Sequence, residues 1–441
     1  MALLLVSFVL FLCWLLALDC VKDSLSRGIL LCFLGYWTIS LITSLFNPSG
    51  LYNVSIRTYF ILLVHLLMFI LGYIVLPSSE CVISSKAGRY SIDSICTSKL
   101  FWLLYWSILI FGLITLINQR AALAFYTTGN IKVDPMNLLF EGSRLRYYFY
   151  DLVCTPFYYF SMALFSFLVI YQKRRRIEKI ALFVLIIVYS LIGGGRVTII
   201  MILFYLLFFF IAGDRISSSN YEIKKKRISI KTILLSTLIV VFLFGGMAYV
   251  TYIGKNGLEG FGQKEFIETS NDVVDQLVVY SLGPFRAFDY ALNHPEVYFN
   301  SGYHFVRATF CGFDYLVSLA LGVFGIHYSP INYLSLSIMQ ENPIQVGNNI
   351  GFNYAYTSVI YPYIDMGFIG VCFYGLLFGY LCRLIIVKAY KKSSFYYLAL
   401  LSFIFYMLMY TVFSNLFNKD FSVIYIVLLL YLAKKEKRII C

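Results

Sequence analysis

Lys173–Arg215 reads KRRRIEKIALFVLIIVYSLIGGGRVTIIMILFYLLFFFIAGDR, and a second cationic patch, Lys224-Lys225-Lys226-Arg227, follows it. Between the two patches lie two apolar runs, 180–192 and 197–212, joined by Gly193-Gly194-Gly195-Arg196. Backbone N–H and C=O groups in hydrocarbon must be bonded within their own segment, so each run is read as a helix. Cations hold the flanks of a span on the cytoplasmic side. Both outer flanks are therefore cytoplasmic, and the middle must turn back on the far side. Three glycines permit so tight a turn.

The same reading extends along the whole chain. Its 441 residues are 60% apolar and only 13% charged, with a mean hydropathy of +0.80. Soluble domains are about a quarter charged. The apolar excess falls in blocks, as membrane spans require. Eleven spans are expected: 1–18, 28–46, 57–76, 100–117, 152–171, 180–192, 197–212, 232–252, 365–387, 395–413 and 421–433. The connections 19–27, 77–99, 172–179, 213–231 and 383–394, with the tail 434–441, carry 24 of the 35 Lys and Arg. This asymmetry puts those connections and the C-terminus in the cytoplasm and the N-terminus outside. The net charge of +13 sits in patches at span ends, which is not a nucleic-acid signature. The first segment has no basic n-region and no cleavage site after it, so it reads as a retained span. Among the ten cysteines, Cys13, Cys32, Cys154, Cys372 and Cys382 lie in or beside spans, and Cys81 and Cys96 share a loop without metal-ligand spacing. Neither a disulfide framework nor a zinc pattern emerges.

Three regions follow. Residues 1–252 hold spans one to eight, 253–362 form one large outward loop, and 363–441 hold the last three spans and a basic tail. The loop contains five of the nine prolines: Pro284, Pro295, Pro330, Pro343 and Pro362. A loop of such length in a compact protein is usually functional. Within it, Phe305 to Ile326 is apolar enough to resemble a span. No Lys or Arg occurs from Ala308 to Cys382, so nothing would hold its far side in the cytoplasm. A re-entrant or surface-lying helix is the expectation.

Candidate chemistry gathers on the outward side. The short arms around Arg196 place it below the outer surface. An ionisable residue at membrane depth marks a candidate site, and guanidinium forks match phosphate oxygens; snorkelling to outer headgroups is the equal alternative. In Gly283-Pro284-Phe285-Arg286-Ala287-Phe288-Asp289, a helix start, Arg286 and Asp289 lie one turn apart, as a local ion pair would. Arg307 sits in apolar surroundings with His304 and Asp314 as its near charges. Asp289, His294, His304 and Asp314 are the candidate general bases. Arg144 and Arg146 are a second outward basic pair, suited to headgroup anchoring. Asn348, Asn349 and Tyr354, at the end of the loop, suit sugar recognition and suit ordinary turns equally well. The chain has no nucleotide-binding glycine loop, no His-Glu-x-x-His and no nucleophile elbow. It also has no acidic cluster to hold a metal, so no cofactor or metal is expected.

This layout resembles the Wzy-type oligosaccharide repeat-unit polymerases, with enterobacterial common antigen polymerase a more distant relative. The resemblance covers most of the chain. It rests on the hydrophobic spans, the Gly194-Gly195-Arg196 turn before an apolar helix, the large outward loop before the last three spans, and the Gly367–Gly370 start of the span that follows. It implies an all-α, polytopic, GT-C-like glycosyltransferase of the bacterial cytoplasmic (inner) membrane. Its substrates would be oligosaccharides on undecaprenyl pyrophosphate, and its partners a flippase and a chain-length regulator. Arg196, Arg286 and Arg307 would neutralise the leaving pyrophosphate. A lipid-linked oligosaccharide flippase, another transporter, or an O-antigen ligase are the alternatives.

Overall fold

The computed structural model describes residues 2–46, 50–76, 92–126, 144–172, 175–192, 196–216, 278–279, 281–299, 302–331, 344–348, 350–352, 356–392, 394–415 and 419–440. They are mostly helical. In chain order the helices are α1 (Ala2–Cys20), α2 (Ser24–Leu45), α3 (Ile56–Ile74), α4 (Lys99–Tyr126), α5 (Arg144–Phe149), α6 (Thr155–Tyr171), α7 (Arg176–Ile192), α8 (Arg196–Ile216), α9 (281–293), α10 (Pro295–Tyr298), α11 (Cys311–Val323), α12 (Ile360–Lys392), α13 (Phe395–Tyr410) and α14 (Asp420–Ile440). The departure from an all-α fold is one antiparallel hairpin, β1 (Ile344–Gly347) with β2 (Ile350–Phe352).

Among the described residues, six helical stretches are long and apolar enough to cross a membrane: Leu3–Cys20, Ser24–Leu45, Ile56–Ile74, Lys99–Asn118, Leu145–Tyr171 and Ile360–Ala389. They coincide with six of the spans expected from sequence. Four more expected spans, 180–192, 197–212, 395–413 and 421–433, fall on α7, α8, α13 and α14. The expected span 232–252 lies outside the described residues. The chain is thus a helical membrane protein.

Side chains at the helix starts explain several boundaries. Asp23 caps α2 by accepting the Ser26 N–H at 2.9 Å, and Ser55 and Ser394 cap α3 and α13 in the same way. α13 is buried on every side, from Phe395 to Met409, and packs on α2, α6, α8, α12 and α14. A helix apolar all round belongs at the centre of a bundle. Around it, aromatic rings fill the core: Tyr159 stacks on Phe421 at 5.2 Å and meets the edge of Phe403 at 5.1 Å.

The tightest seam joins α3 to α12. A Cβ at Gly379 would lie 1.9 Å from the Phe69 carbonyl oxygen, and one at Gly72 would lie 2.0 Å from that of Leu376. Only glycine allows backbones so close, the small-residue contact favoured between membrane helices. α12 is itself broken at Met366–Gly367, where Gly367 has φ 60° and ψ −144°. Residues with a side chain do not settle there.

At one end of the bundle, charge is locked away. Arg383 of α12 meets Asp23 at 2.6 Å, and it also donates to the Ser26 hydroxyl. The Tyr73 ring lies 5.7 Å from the guanidinium carbon, and Tyr73 donates to the Ser26 carbonyl at 3.0 Å.

Candidate functional site

The opposite end of the bundle carries a cap built from residues 281–299 and 302–331. Three polar ties hold it there. In the first, Arg286 of α9, 3% exposed, reaches the end of α2. Its Nη1 donates to the Ser44 hydroxyl at 2.7 Å and to Leu282 O at 3.1 Å. Its Nη2 donates to Ser44 O at 3.1 Å and its Nε to Tyr52 O at 3.0 Å. Burial pulls the guanidinium pKa down, while Tyr59 and Asp289 push it up. In the second tie, Asp289 Oδ1 accepts from the Ser55 N–H at 3.1 Å, from the Ser55 hydroxyl and from the Thr58 hydroxyl at 2.5 Å. It therefore sits on the N-terminus of α3, where a carboxylate also meets the positive helix end. In the third, Asp365 of α12, fully buried, accepts the Ala308 and Thr309 N–H groups at 2.8 Å each.

The apolar stretch after Phe305 forms only a short helix. α11 has 13 residues, about 20 Å, against a hydrocarbon core of about 30 Å. After Gly325, at φ 75°, the chain doubles back along the helix. Ser318 donates to Tyr328 O at 2.7 Å, and both the Tyr328 hydroxyl and the Ile331 N–H reach Asp314 near the helix start. These bonds fold the segment back onto its own helix. The start of α11 packs against the backbone of Lys419 and Asp420 at the opening of α14, so tightly that a Cβ on Gly312 would clash with it.

Arg307 stands at the free side of the cap. Its Nε and Nη2 meet Asp314 at 3.2 and 3.3 Å, and Nη2 also donates to Ser329 O at 2.8 Å. The Tyr328 ring lies 5.1 Å away. The side chain is 34% exposed, and among the described residues these bonds do not engage Nη1. His304 lies one turn earlier, where its carbonyl accepts the Arg307 N–H at 3.2 Å. Burial lowers the His304 pKa and the Arg307 charge lowers it further, with Asp314 opposing. Both burial and the Arg307 charge favour the neutral imidazole. A fixed cation beside a neutral imidazole can stabilise a leaving anion and take a proton.

The other candidates are spread more widely. His294 precedes α10 without a side-chain cap bond; its Nδ1 lies 2.9 Å from Tyr290 O and its ring stacks on Tyr290 at 4.0 Å. Asp289 and Asp314, expected among the bases, each hold several donors, so both serve first as ties. Arg286, expected at the pyrophosphate, spends its donors on protein oxygens. Asn348 is in the β1–β2 turn, its N–H 3.4 Å from Gly50 O. Asn349, Tyr354 and the Arg196 side chain lie outside the described residues; Arg196 itself opens α8.

The sequence reading passed over three features. Asp365 is a lone acid in an apolar run, which is itself a signal. Asp23 and Arg383 look like ordinary span-end residues until the fold joins them. Asp151, in the π turn Tyr150–Cys154, lies beside the Asp420 carboxyl that opens α14, and π turns recur at functional sites.

Comparison with known proteins finds no match among protein families, curated proteins or solved structures.

Proposed function

We propose that the chain is a membrane glycosyltransferase of the Wzy kind, an eleven-span, GT-C-like polymerase of O-antigen or another surface polysaccharide. It joins oligosaccharide repeat units on the outer side of the cytoplasmic membrane. The positive connections lie inside and the cap faces out. The growing glycan on undecaprenyl pyrophosphate is the donor, and a single lipid-linked unit, delivered outward by a flippase, is the acceptor. The acceptor hydroxyl oxygen bonds to the anomeric carbon of the donor's reducing-end sugar. The bond from that carbon to the pyrophosphate oxygen breaks, and its electron pair leaves with the lipid pyrophosphate. The hydroxyl proton passes to His304. Arg307 Nη1 faces the departing charge.

The observation that supports this reading best is the cap: a layer tied to four helix ends, presenting a partly exposed arginine one turn from a histidine. Two lipid-anchored substrates held at such a layer react as neighbours, which supplies the proximity term of catalysis. A transporter would instead need charged groups distributed through its spans.

The test is purified protein in nanodiscs with undecaprenyl-pyrophosphate-linked repeat units. Chains of two or more units are expected from the wild type. Arg307→Ala is expected to lose roughly 100-fold or more in rate, the order seen when one preorganised donor is removed. No products from folded wild type would end the proposal, and transfer only to a lipid A core acceptor would make the protein a ligase.

A further inference from the structure

We infer that the outward-facing end of the α3–α12 seam is a docking site for a single-chain lipid with a phosphate or pyrophosphate headgroup, the headgroup on Arg57 and the chain in an apolar trough below it. The identity of that lipid as the polyprenyl carrier rests on the proposed function. The site itself rests on the seam.

Three observations align along it. Arg57, in the first turn of α3, is exposed, and its guanidinium has one contact among the described residues, the Tyr363 hydroxyl of α12 at 3.4 Å. It has no carboxylate partner there. Next along the seam, Phe60 and Phe368 stack face to face at 5.9 Å and bridge the two helices. Beyond this bridge a trough of about 420 Å³ opens, lined by Met68, Ile369, Cys372, Phe373, Leu376 and Tyr380 among others, with almost no polar surface. Arg57, Val64 and Met68 are spaced i, i+7 and i+11, so they share one face of α3. Met68 lies about 16 Å along the helix axis from Arg57.

The arrangement has the polarity of an anionic amphiphile. A guanidinium with no carboxylate partner among the described residues, at the headgroup end, can bind phosphate oxygens by charge-assisted forks. A furrow without polar partners, at membrane depth, is filled by hydrocarbon. One cation and one furrow suit one phosphorylated chain better than a two-chain phospholipid. The close α3–α12 approach through Gly72 and Gly379 fixes both walls, so the furrow is preformed. The break at Gly367 sits beside the bridge, and Tyr303 of the cap packs against it. A headgroup on Arg57 therefore lies on the cap's side of the membrane.

The experiment uses full-length protein in phosphatidylethanolamine nanodiscs and a polyprenyl pyrophosphate with a photoreactive group on its chain, without acceptor. Cross-links are expected on 366–381 and around Met68. Arg57→Ala should weaken labelling about tenfold, the loss of one charge-assisted contact. Cys372→Trp, which fills the trough, should move the cross-links elsewhere while leaving the protein folded by circular dichroism. Added phosphatidylglycerol should not compete. Equal labelling of all lipid-facing helices, insensitivity to Arg57→Ala, or competition by phosphatidylglycerol would each overturn the inference. A protein that polymerises without labelling here would lose the trough and keep the enzyme. One that labels here but never polymerises would do the reverse.

Discussion

Arg286 and Arg307 look alike in the sequence, two lone cations in an apolar outward loop, yet they sit in opposite surroundings. Arg286 is buried and gives its donors to Ser44, Tyr52 and Leu282. Arg307 is partly exposed and bonds Asp314 and Ser329. Arg286→Ala should therefore cost about 3 kcal/mol of stability, since it strands buried oxygens; thermal unfolding in detergent checks this. Arg307→Ala leaves Asp314 with its Tyr328 and Ile331 donors, so it should cost less stability than Arg286→Ala and remove activity. His304 gives a second prediction. Its pKa is lowered by burial and by Arg307, and a base works only when neutral. The acid limb of the pH–rate profile should accordingly lie below the ordinary histidine value of about 6.5. His304→Gln should abolish the limb together with most of the rate. No sequence signal separates the two arginines, because burial depends on which helix end each one meets. Asp289 and Asp314 illustrate the same point. Their acidity is legible, but their donors on α3 and on the returning strand at Ile331 are not.

Elements were more legible than contacts. Apolar runs bounded by cations gave the helices, because hydrocarbon forces every backbone group into internal bonding. The absence of Lys and Arg after Ala308 pointed to a segment that does not span, and the helix that forms there has only 13 residues. The Gly367–Gly370 segment stood out, although its outcome, a break at φ 60°, needed coordinates. The α3–α12 seam was hidden, because its glycines lie in two distant segments and only their pairing shows the purpose. Gly379→Leu places a side chain where the Phe69 carbonyl stands 1.9 Å from the Cβ site. It should destabilise by about 3 kcal/mol or more, the upper end of overpacking costs, and open the trough. Cysteine cross-linking between α3 and α12 would report the separation, with an unchanged cross-link rate counting against the seam as drawn.

At the scale of the molecule, the two ends do different work. One end closes on Asp23 and Arg383, a buried ion pair at 2.6 Å; the other carries the cap. Removing one partner of a buried pair costs about 3–5 kcal/mol, whereas replacing both with apolar groups is close to neutral. Asp23→Asn should thus be much less stable than a double Asp23→Leu, Arg383→Met variant, and neither change should alter which glycan is made. The central claim, that the cap joins lipid-linked repeat units, is tested most directly by the length of surface glycan in cells lacking this chain and complemented, at matched expression, with wild type or Arg307→Ala. The account predicts a ladder with wild type and single repeat units with both the empty vector and Arg307→Ala. A normal ladder without the chain, or no outward-facing single units at all, would contradict it.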